Sequence, residues 1–253
     1  MFKKKMMLAL VLCTALVLCA QPVAEISNGV VASTSWVAAI AQLAGVDGCV
    51  TIAPADMKHP PEYEITASDM VLVTGADLFI YAGYERMMDS IKNAAGLNGD
   101  RFLKIVTKNS VSVLKSQVIA ISKRMGTEAE GAERLKGYVQ MIEEARAFVR
   151  ENGLDEIPCY VNVNQIPLAE DIGLKISGSF GPGPLSAEQF ADVARNRYPL
   201  IIDNIHNPVS NPLASVSSGS IFLTWRNFPE KIEKDALIGV VSGNLNQLVS
   251  IFK

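Results

Sequence analysis

The sequence predicts an α/β protein of two lobes, each a mostly parallel sheet flanked by helices, joined by a long helix. Short apolar segments alternate with helical patterns over residues 25–126, and the same alternation returns over residues 153–253. Between them, residues 127–152 carry the longest helical pattern in the chain. Strands that alternate with helices at this spacing are typical of βαβ units and therefore of parallel sheets.

In the first half, strands and helices are predicted at short intervals. The predicted strands cover residues 29–33, 50–53, 78–81 and 102–106, and the predicted helices cover residues 36–44, 84–95 and 109–125. A further helix starts at Thr66 or Ser68, whose hydroxyl caps it, and Asp69 lies in its first turn, where the helix dipole favours negative charge. Gly75 ends this helix.

The central helix is predicted from its start and stop residues and from one apolar face. Thr127 and Glu130 have the spacing of a capping box, and Gly153 ends the pattern. One face of the helix is formed by Leu135, Val139, Ile142, Ala145 and Val149. At about 1.5 Å per residue the helix spans nearly 40 Å, the length of a small domain.

The second half repeats the alternation of strands and helices. Strands are predicted over residues 158–162, 174–178, 200–203 and 221–224, and helices over residues 167–172 and 230–252. Another helix begins after the capping residue Ser186 and ends near Tyr198. The domain boundaries that follow are a leader at 1–24, a lobe at 25–126, the joining helix at 127–152 and a lobe at 153–253.

The N-terminus has the pattern of a secretory signal peptide. Three lysines at positions 3–5 precede an apolar run from Met6 to Leu18, which is short for a membrane span, and small residues follow it. Cleavage after Ala20 or Ala24 is expected, with an uncleaved anchor as the alternative. Cys19 raises the alternative of a lipid anchor, although the large residues before it fit that processing poorly. The protein is therefore expected to be exported, either periplasmic or at the cell surface.

Composition narrows the classes of partner. The chain has 253 residues, of which 49% are hydrophobic, enough for a substantial core. Without the three leader lysines, 20 basic residues remain against 26 acidic ones, a net charge of about −6. An acidic chain without a basic stripe argues against nucleic acid as a partner. Cys49 and Cys159 lie outside the leader, and we expect buried free thiols there, a disulfide being the alternative in an exported protein.

The segment from His59 to Glu85 resembles one protein family. It begins H-P-P-E-Y-E-I-T-A-S-D, where zinc- and manganese-binding receptors of ABC importers carry Asp-Pro-His-x-Tyr-Glu-Pro-Thr-Pro-Ser-Asp. The matching residues are Tyr63, Glu64, Thr66, Ser68, Asp69, Ala76, Asp77, Leu78 and Gly83. The resemblance runs from about Val30 to the C-terminus. It implies a cleft between the lobes that holds a divalent metal, zinc or manganese, as ligand, with no catalytic cofactor.

The same resemblance shows where this sequence departs from the family. In strict register the metal-binding histidine of the family falls on Pro61, and His59 takes the place of the aspartate two positions earlier. The second and third ligands fall near Asn109 and Asn162. The carboxylate ligand that ends a strand in the family corresponds to Asp203. The resemblance therefore implies a cleft with fewer nitrogen ligands and more oxygen ligands than the family has.

The residues themselves point to the same region. The chain contains two histidines, His59 and His206, one in each predicted lobe and each in a loop that follows a predicted strand. Metal sites need several such side chains to converge from loops. We therefore predict metal ligands at His59 and His206, with Glu62 as a further oxygen donor, the alternative being that both histidines are ordinary surface residues. The resemblance adds Asp203 to this ligand set. We also expect Asn109, Asn162, Tyr63 and Trp36 to line the cleft, although a core position is the alternative for the tryptophan.

The function predicted is that of a non-enzymatic, extracytoplasmic solute-binding receptor that delivers its ligand to the permease and ATPase subunits of an ABC importer. Membrane contact would then occur only through the permease or a lipid anchor. Three alternatives remain open on the sequence alone. The same scaffold suits a metal complex or an organic solute, a surface adhesin with a vestigial site, or a small enzyme that uses the carboxylates near His206 as acid and base.

Overall fold

Two four-stranded parallel sheets form the framework of the computed structural model, which describes residues 29–96 and 99–252. The first sheet contains β1 (Val30–Ala32), β2 (Val50–Thr51), β3 (Leu78–Tyr81) and β4 (Phe102–Lys104), in the order β2-β1-β3-β4. The second contains β5 (Pro158–Asn162), β6 (Lys175–Phe180), β7 (Leu200–Asn204) and β8 (Ile221–Trp225), in the order β6-β5-β7-β8. The two sheets have the same strand order, and the predicted α/β fold with two parallel sheets is confirmed.

Eight α-helices cover these sheets in the described residues. They are α1 (Ser35–Leu43), α2 (Ala67–Thr74), α3 (Met87–Ala95), α4 (Val111–Met125), α5 (Glu128–Glu151), α6 (Ile166–Asp171), α7 (Ala187–Asn196) and α8 (Ala236–Phe252). Thr66 caps α2 and Ser186 caps α7, each within a complete capping box. These local motifs form as the sequence predicts because all their partners lie within one helical turn.

Two predictions about helix starts are wrong. Thr127 makes no capping hydrogen bond at α5, because its hydroxyl donates to the carbonyl of Ala44, 2.6 Å away. The closing helix starts at Ala236 rather than at residue 230. Asp235 adopts a φ of +57°, which a right-handed helix does not contain, and the side chain of Gln42 accepts a hydrogen bond from the amide of Ala236.

The central strands β1, β3, β5 and β7 are buried on both faces, which explains why they are almost continuously apolar. The outer face of the first sheet packs in a cluster around Phe79, and the outer face of the second packs around Tyr160 and Phe180. The inner faces share one large cluster, which runs from Ile80 through Ile142 of α5 to Leu223. The lobes are therefore joined by a continuous hydrophobic core.

Polar contacts also cross between the lobes. Gln42 of α1 donates to the carbonyl of Glu233 at 2.8 Å and accepts from the amide of Ala236 at 2.9 Å. Asn109 donates to the carbonyl of Asn227 at 2.7 Å. Because the side chains of Gln42 and Asn109 are buried, each of these contacts must be kept or replaced whenever the lobes move, which opposes large rearrangements.

Three further sequence predictions concern features other than the lobes. The predicted signal peptide and Cys19 lie outside the described residues. Cys49 and Cys159 are both free as expected, but only Cys159 is fully buried and Cys49 is half-buried. Burial raises the pKa of each thiol to about 12. Among the helices that the structure describes, none is both long and apolar enough to cross a membrane.

Candidate ligand cleft

A cleft of about 360 Å³ lies where the carboxyl ends of the two sheets face each other. All eight loops that follow the strands contribute to it, as expected for ligand sites of open α/β sheets. The first lobe provides Thr34, Trp36, Lys58, His59, Pro60, Pro61, Tyr84, Thr107 and Lys108. The second lobe provides Val163, Asn164, Pro167, Pro182, Asn204, His206, Asn207, Asn227 and Phe228. Both histidines of the chain thus line one cleft, from opposite lobes.

His206 is held in place by its surroundings. Its ring stacks on that of Phe228, with centroids 3.5 Å apart and planes 13° apart, and only 8% of the residue is exposed. Its backbone amide donates to the side-chain oxygen of Asn204 at 3.2 Å. The Nε2 atom is buried and has no hydrogen-bond partner among the described residues. A buried nitrogen without a partner is costly, and among the described residues Ser35 Oγ and Trp225 Nε1 are the other buried side-chain atoms that lack one.

The electrostatics of His206 keep its imidazole neutral at physiological pH. Burial lowers its pKa to about 4, and the nearby charges of Arg226 and His59 act in the same direction. The Glu230 carboxylate and a hydrogen bond with the Phe228 backbone oppose this shift without cancelling it. The neutral ring is the form that binds metals.

His59 differs from His206 in being exposed. It lies in the loop after β2, directly before a 3₁₀ turn over Pro60–Glu62. Pro60 is buried and fixes the backbone next to the histidine. His59 is therefore presented to the cleft from a constrained backbone, with its side chain open to solvent.

Asp203 does not line the cleft, although the sequence predicts it as a ligand. Its carboxylate accepts hydrogen bonds from the amides of Asn204, Val209 and Ser210 and from the side chain of Asn162, at 2.7 to 2.9 Å. Only 1% of the residue is exposed. The carboxylate is thus used to hold the loop that carries His206, and Asn162 is used with it.

Of the four other residues predicted for the site, one lines the cleft and three do not. Trp36 lines the cleft, and its indole Nε1 donates to the side-chain oxygen of Asn109 at 2.9 Å. Asn109 is buried behind it, because both ends of its amide are already bonded. The hydroxyl of Tyr63 donates to Asp69 at 2.9 Å, away from the cleft. Glu62 is exposed and is not among the lining residues.

The four predicted ligands are therefore not brought together. Within residues 29–96 and 99–252, no three His, Cys, Asp or Glu side chains lie close enough to hold a metal ion. Two imidazoles remain as the strong ligands available in the cleft. A metal bound there must complete its coordination with groups other than the carboxylates of the described residues.

Several cleft residues were not predicted from the sequence, among them Phe228, Tyr84 and the two lysines Lys58 and Lys108. Each of them follows a predicted strand, and this position is the sequence signal that they share. An amide network behind the cleft was not predicted either: Gln165 donates to the carbonyl of Trp225 at 3.1 Å and to the side chain of Asn227. This network fixes the loop that carries Phe228.

The cleft has no negative charge of its own. Its lining contains the ammonium groups of Lys58 and Lys108 but, in the part of the chain that the structure describes, no aspartate or glutamate. Glu230 lies close enough to feel the charges of His206 and Lys58, yet its carboxylate is paired with the guanidinium of Arg226 at 2.5 Å. The overall negative charge of the protein is therefore not concentrated at this site.

Comparisons with known proteins bear on the fold. No protein-family model and no curated protein matches this chain. The SBP FpvC from P. aeruginosa, solved in complex with Ni²⁺, superposes with a TM-score of 0.67 at 14% identity, covering 89% of this chain and 97% of that one. The Mn-bound and Cd-bound forms of a periplasmic metal binding protein from candidatus liberibacter asiaticus superpose with TM-scores of 0.62 and 0.63 at 13% identity, covering 89% of this chain and 99% of those.

At identities of 13% and 14%, the similarity shows only that the fold is shared. The ligand of this chain has to be inferred from its own residues. The superpositions cover both sheets and nearly the whole length of the compared proteins. The chain therefore has the two-lobed α/β fold of these solved structures.

Proposed function

We propose that this protein is an extracytoplasmic receptor that captures a divalent metal ion between its two lobes, with His59 and His206 as protein ligands. The observation that carries the proposal is that the only two histidines in 253 residues line the same cleft from opposite lobes. Imidazole is the commonest metal ligand in proteins, and histidines placed by chance would more often lie on unrelated surfaces.

The environment of His206 supports this role. Its Nε2 atom is buried and unpartnered, while the ring is fixed by Phe228 and hydrogen-bonds to the backbone of that residue. A neutral imidazole whose other nitrogen carries the proton has a lone pair at Nε2. A metal ion that reaches Nε2 would satisfy this lone pair, for which the described residues supply no partner.

The ligand set narrows the choice between zinc and manganese. Imidazole nitrogen suits zinc and nickel, whereas manganese prefers carboxylate and other oxygen ligands. The cleft lining contains imidazoles and amides but no carboxylate of the described residues. We therefore favour zinc or a similar nitrogen-preferring ion over manganese.

The proposed role involves binding and release without covalent chemistry. A receptor of this fold would hand its metal to the permease of an ABC importer, whose ATPase drives uptake. Export is part of the proposal and rests on the leader predicted at residues 1–24. The continuous core and the contacts of Gln42 between the lobes favour a small closing motion.

The direct test is metal binding by the untagged protein, because a histidine tag would add a competing site. Equilibrium dialysis should detect one Zn²⁺ or Ni²⁺ per chain. His59→Gln and His206→Gln should each weaken binding at least about tenfold, equivalent to about 1.4 kcal/mol. Glu64→Gln, an exposed change in the same loop, should leave the affinity unaltered. Circular dichroism must show that each variant is folded.

A second measurement uses the unaltered protein and does not depend on the stability of any variant. Two histidines give two sets of imidazole signals in nuclear magnetic resonance spectra. One equivalent of Ni²⁺ should broaden both sets in parallel, because both rings would contact one paramagnetic ion. Broadening of one set alone, or a His59→Gln/His206→Gln protein that retains full affinity, would refute the proposed site.

A further inference from the structure

The charge of the cleft is unusual for a site that binds a bare cation. Lys58 and Lys108 both line it, and among the described residues neither forms an ion pair. A divalent ion beside two ammonium groups is repelled, and no carboxylate of the described lining offsets the repulsion. The lysines therefore fit a ligand that brings negative charge with it.

The coordination of the metal leads to the same conclusion. Zinc takes four ligands, and other transition metals take four to six, while the cleft offers two imidazoles. No third His, Cys, Asp or Glu joins them in the part of the chain that the structure describes. The remaining positions must be filled by water or by a molecule that enters together with the metal.

The size and lining of the cleft favour a molecule over water alone. Its volume of about 360 Å³ lies within the range of sites for small organic ligands, and a water molecule occupies only about 30 Å³. Apolar and aromatic surface covers much of the wall, including Trp36, Tyr84 and Phe228. Hydrated ions gain nothing from such a wall, whereas the carbon skeleton of a chelator is buried against it.

We propose that the cleft takes its metal as an anionic complex with a small polycarboxylate chelator, so that the chelator and the two histidines share the coordination sphere. This inference rests on the proposed function and specifies the chemical class of the ligand. The metal lies between His59 and the Nε2 atom of His206. The carboxylates of the chelator that face away from the metal pair with the ammonium groups of Lys58 and Lys108.

The second lobe completes the recognition of the chelator. Asn164, Asn207 and Asn227 line the cleft from the second lobe, whereas the lysines line it from the first. Amide groups donate hydrogen bonds to carboxylate oxygens. The amide nitrogen of Asn207 donates to the carbonyl of Pro182, which fixes its orientation at the cleft. Charge from one lobe and neutral donors from the other thus suit an anionic ligand that fills the space between them.

Calorimetric titrations with three probes test the proposal: NiCl₂ in a non-chelating buffer, a preformed 1:1 complex of Ni²⁺ with citrate, and sodium citrate alone. Citrate leaves coordination positions on the metal open for imidazoles. We expect the complex to bind at least about tenfold more tightly than Ni²⁺, a difference of about 1.4 kcal/mol, and citrate alone to bind weakly.

The lysines are tested by the double variant Lys58→Gln/Lys108→Gln. It should lose at least about tenfold in affinity for the complex and gain affinity for Ni²⁺, because a repulsive charge is removed. The matched control is Lys115→Gln/Lys136→Gln, which removes the same charge from exposed positions on α4 and α5. The control should alter neither affinity, and a mere loss of folding would lower both affinities together.

The outcomes separate this inference from the proposed function. If citrate weakens Ni²⁺ binding by simple competition, the chelate proposal is wrong and the metal receptor stands. If neither form of Ni²⁺ binds, the proposed function is wrong as well. Should citrate alone bind as tightly as the complex, the cleft is a site for organic anions and the metal plays no part.

Discussion

The two lobes have the same strand order but use the loops at their carboxyl ends differently. In each lobe one buried carboxylate joins two loops. Glu85 accepts from the hydroxyl of Ser33 and the amides of Ala82 and Gly83, whereas Asp203 accepts from three amides and one side chain. The acids nearest the strand ends thus hold the framework in both lobes, and neither lines the cleft.

The contrast appears in the groups that the two lobes leave for a ligand. The first lobe presents exposed charged and polar side chains, His59, Lys58 and Lys108. The second presents a buried, stacked imidazole and neutral amides, of which those of Asn204 and Asn227 are held from behind by Gln165. The second lobe is therefore the preformed half of the site, and the first lobe supplies the groups that solvent already reaches.

The largest expected effect is on stability and tests whether the two buried carboxylates are equivalent supports. Asp203→Ala leaves four donors without a partner and should lower the free energy of unfolding by about 3–5 kcal/mol. Glu85→Ala leaves three and should cost about 2–4 kcal/mol. Urea denaturation measures both costs. The control is the exposed Glu143→Ala, whose free energy of unfolding should lie within about 0.5 kcal/mol of that of the unaltered protein. A cost for Asp203→Ala no larger than the control would show that the carboxylate is free to leave its loop.

The connection between the lobes is tested next. Gln42→Ala removes a buried side chain that bonds to Glu233 and Ala236 of the other lobe, and it should lower the free energy of unfolding by about 2 kcal/mol. The control is Asp47→Asn, which weakens an exposed ion pair with Arg134 near the same helix and should cost less than about 1 kcal/mol. Equal costs would mean that the lobes are held together by their apolar core alone.

The difference between the two histidines predicts unequal chemical reactivity. Diethyl pyrocarbonate at neutral pH should modify the exposed His59 at least about tenfold faster than the buried His206, a ratio that corresponds to about 1.4 kcal/mol of protection. Mass spectrometry of the two histidine peptides gives both rates in one experiment. Equal rates would indicate that the stack on Phe228 opens freely, and the second lobe would then not be preformed.

The smallest expected effect concerns the equivalent helices α2 and α7, whose capping boxes differ in charge. Burial raises the pKa of Asp69 in α2, but hydrogen bonds from Thr66 and Tyr63 together outweigh it and hold the pKa below its usual 3.8. A carboxyl whose pKa is lower in the folded state stabilises the protein above its unfolded pKa and loses this contribution as the pH falls. Asp69→Asn should therefore cost about 0.5–1 kcal/mol at pH 7, and the cost should shrink below about pH 4.

Gln189 of α7 provides the neutral counterpart, because it closes the capping box with Ser186 through an amide. The cost of Gln189→Ala, measured by the same denaturation, should not vary with pH between 3 and 7, since no group in that box titrates. A pH-dependent cost for Gln189→Ala, or a constant one for Asp69→Asn, would show that the effect arises elsewhere in the protein.

Local features of the chain were predictable because their partners are close in sequence. The apolar run at Leu200–Asn204 predicts a buried parallel strand, and Thr66 and Ser186 predict helix starts from contacts within three residues. The two-lobed order followed from the alternation of such segments. The positions of the two histidines after predicted strands also predicted that both face one cleft.

The sequence by itself therefore determined the elements, their alternation and the pair of imidazoles, since each depends on short-range periodicity or on the end of a strand. Only the tertiary structure decided which polar groups are left for a ligand. The carboxylate of Asp203 accepts hydrogen bonds from backbone amides six and seven residues further along the chain. The hydroxyl of Thr127 donates to the carbonyl of Ala44, and the amide of Asn109 donates to a carbonyl in a loop of the other lobe. A polar side chain takes whichever partner folding places beside it, and that choice depends on distances that a linear pattern does not contain.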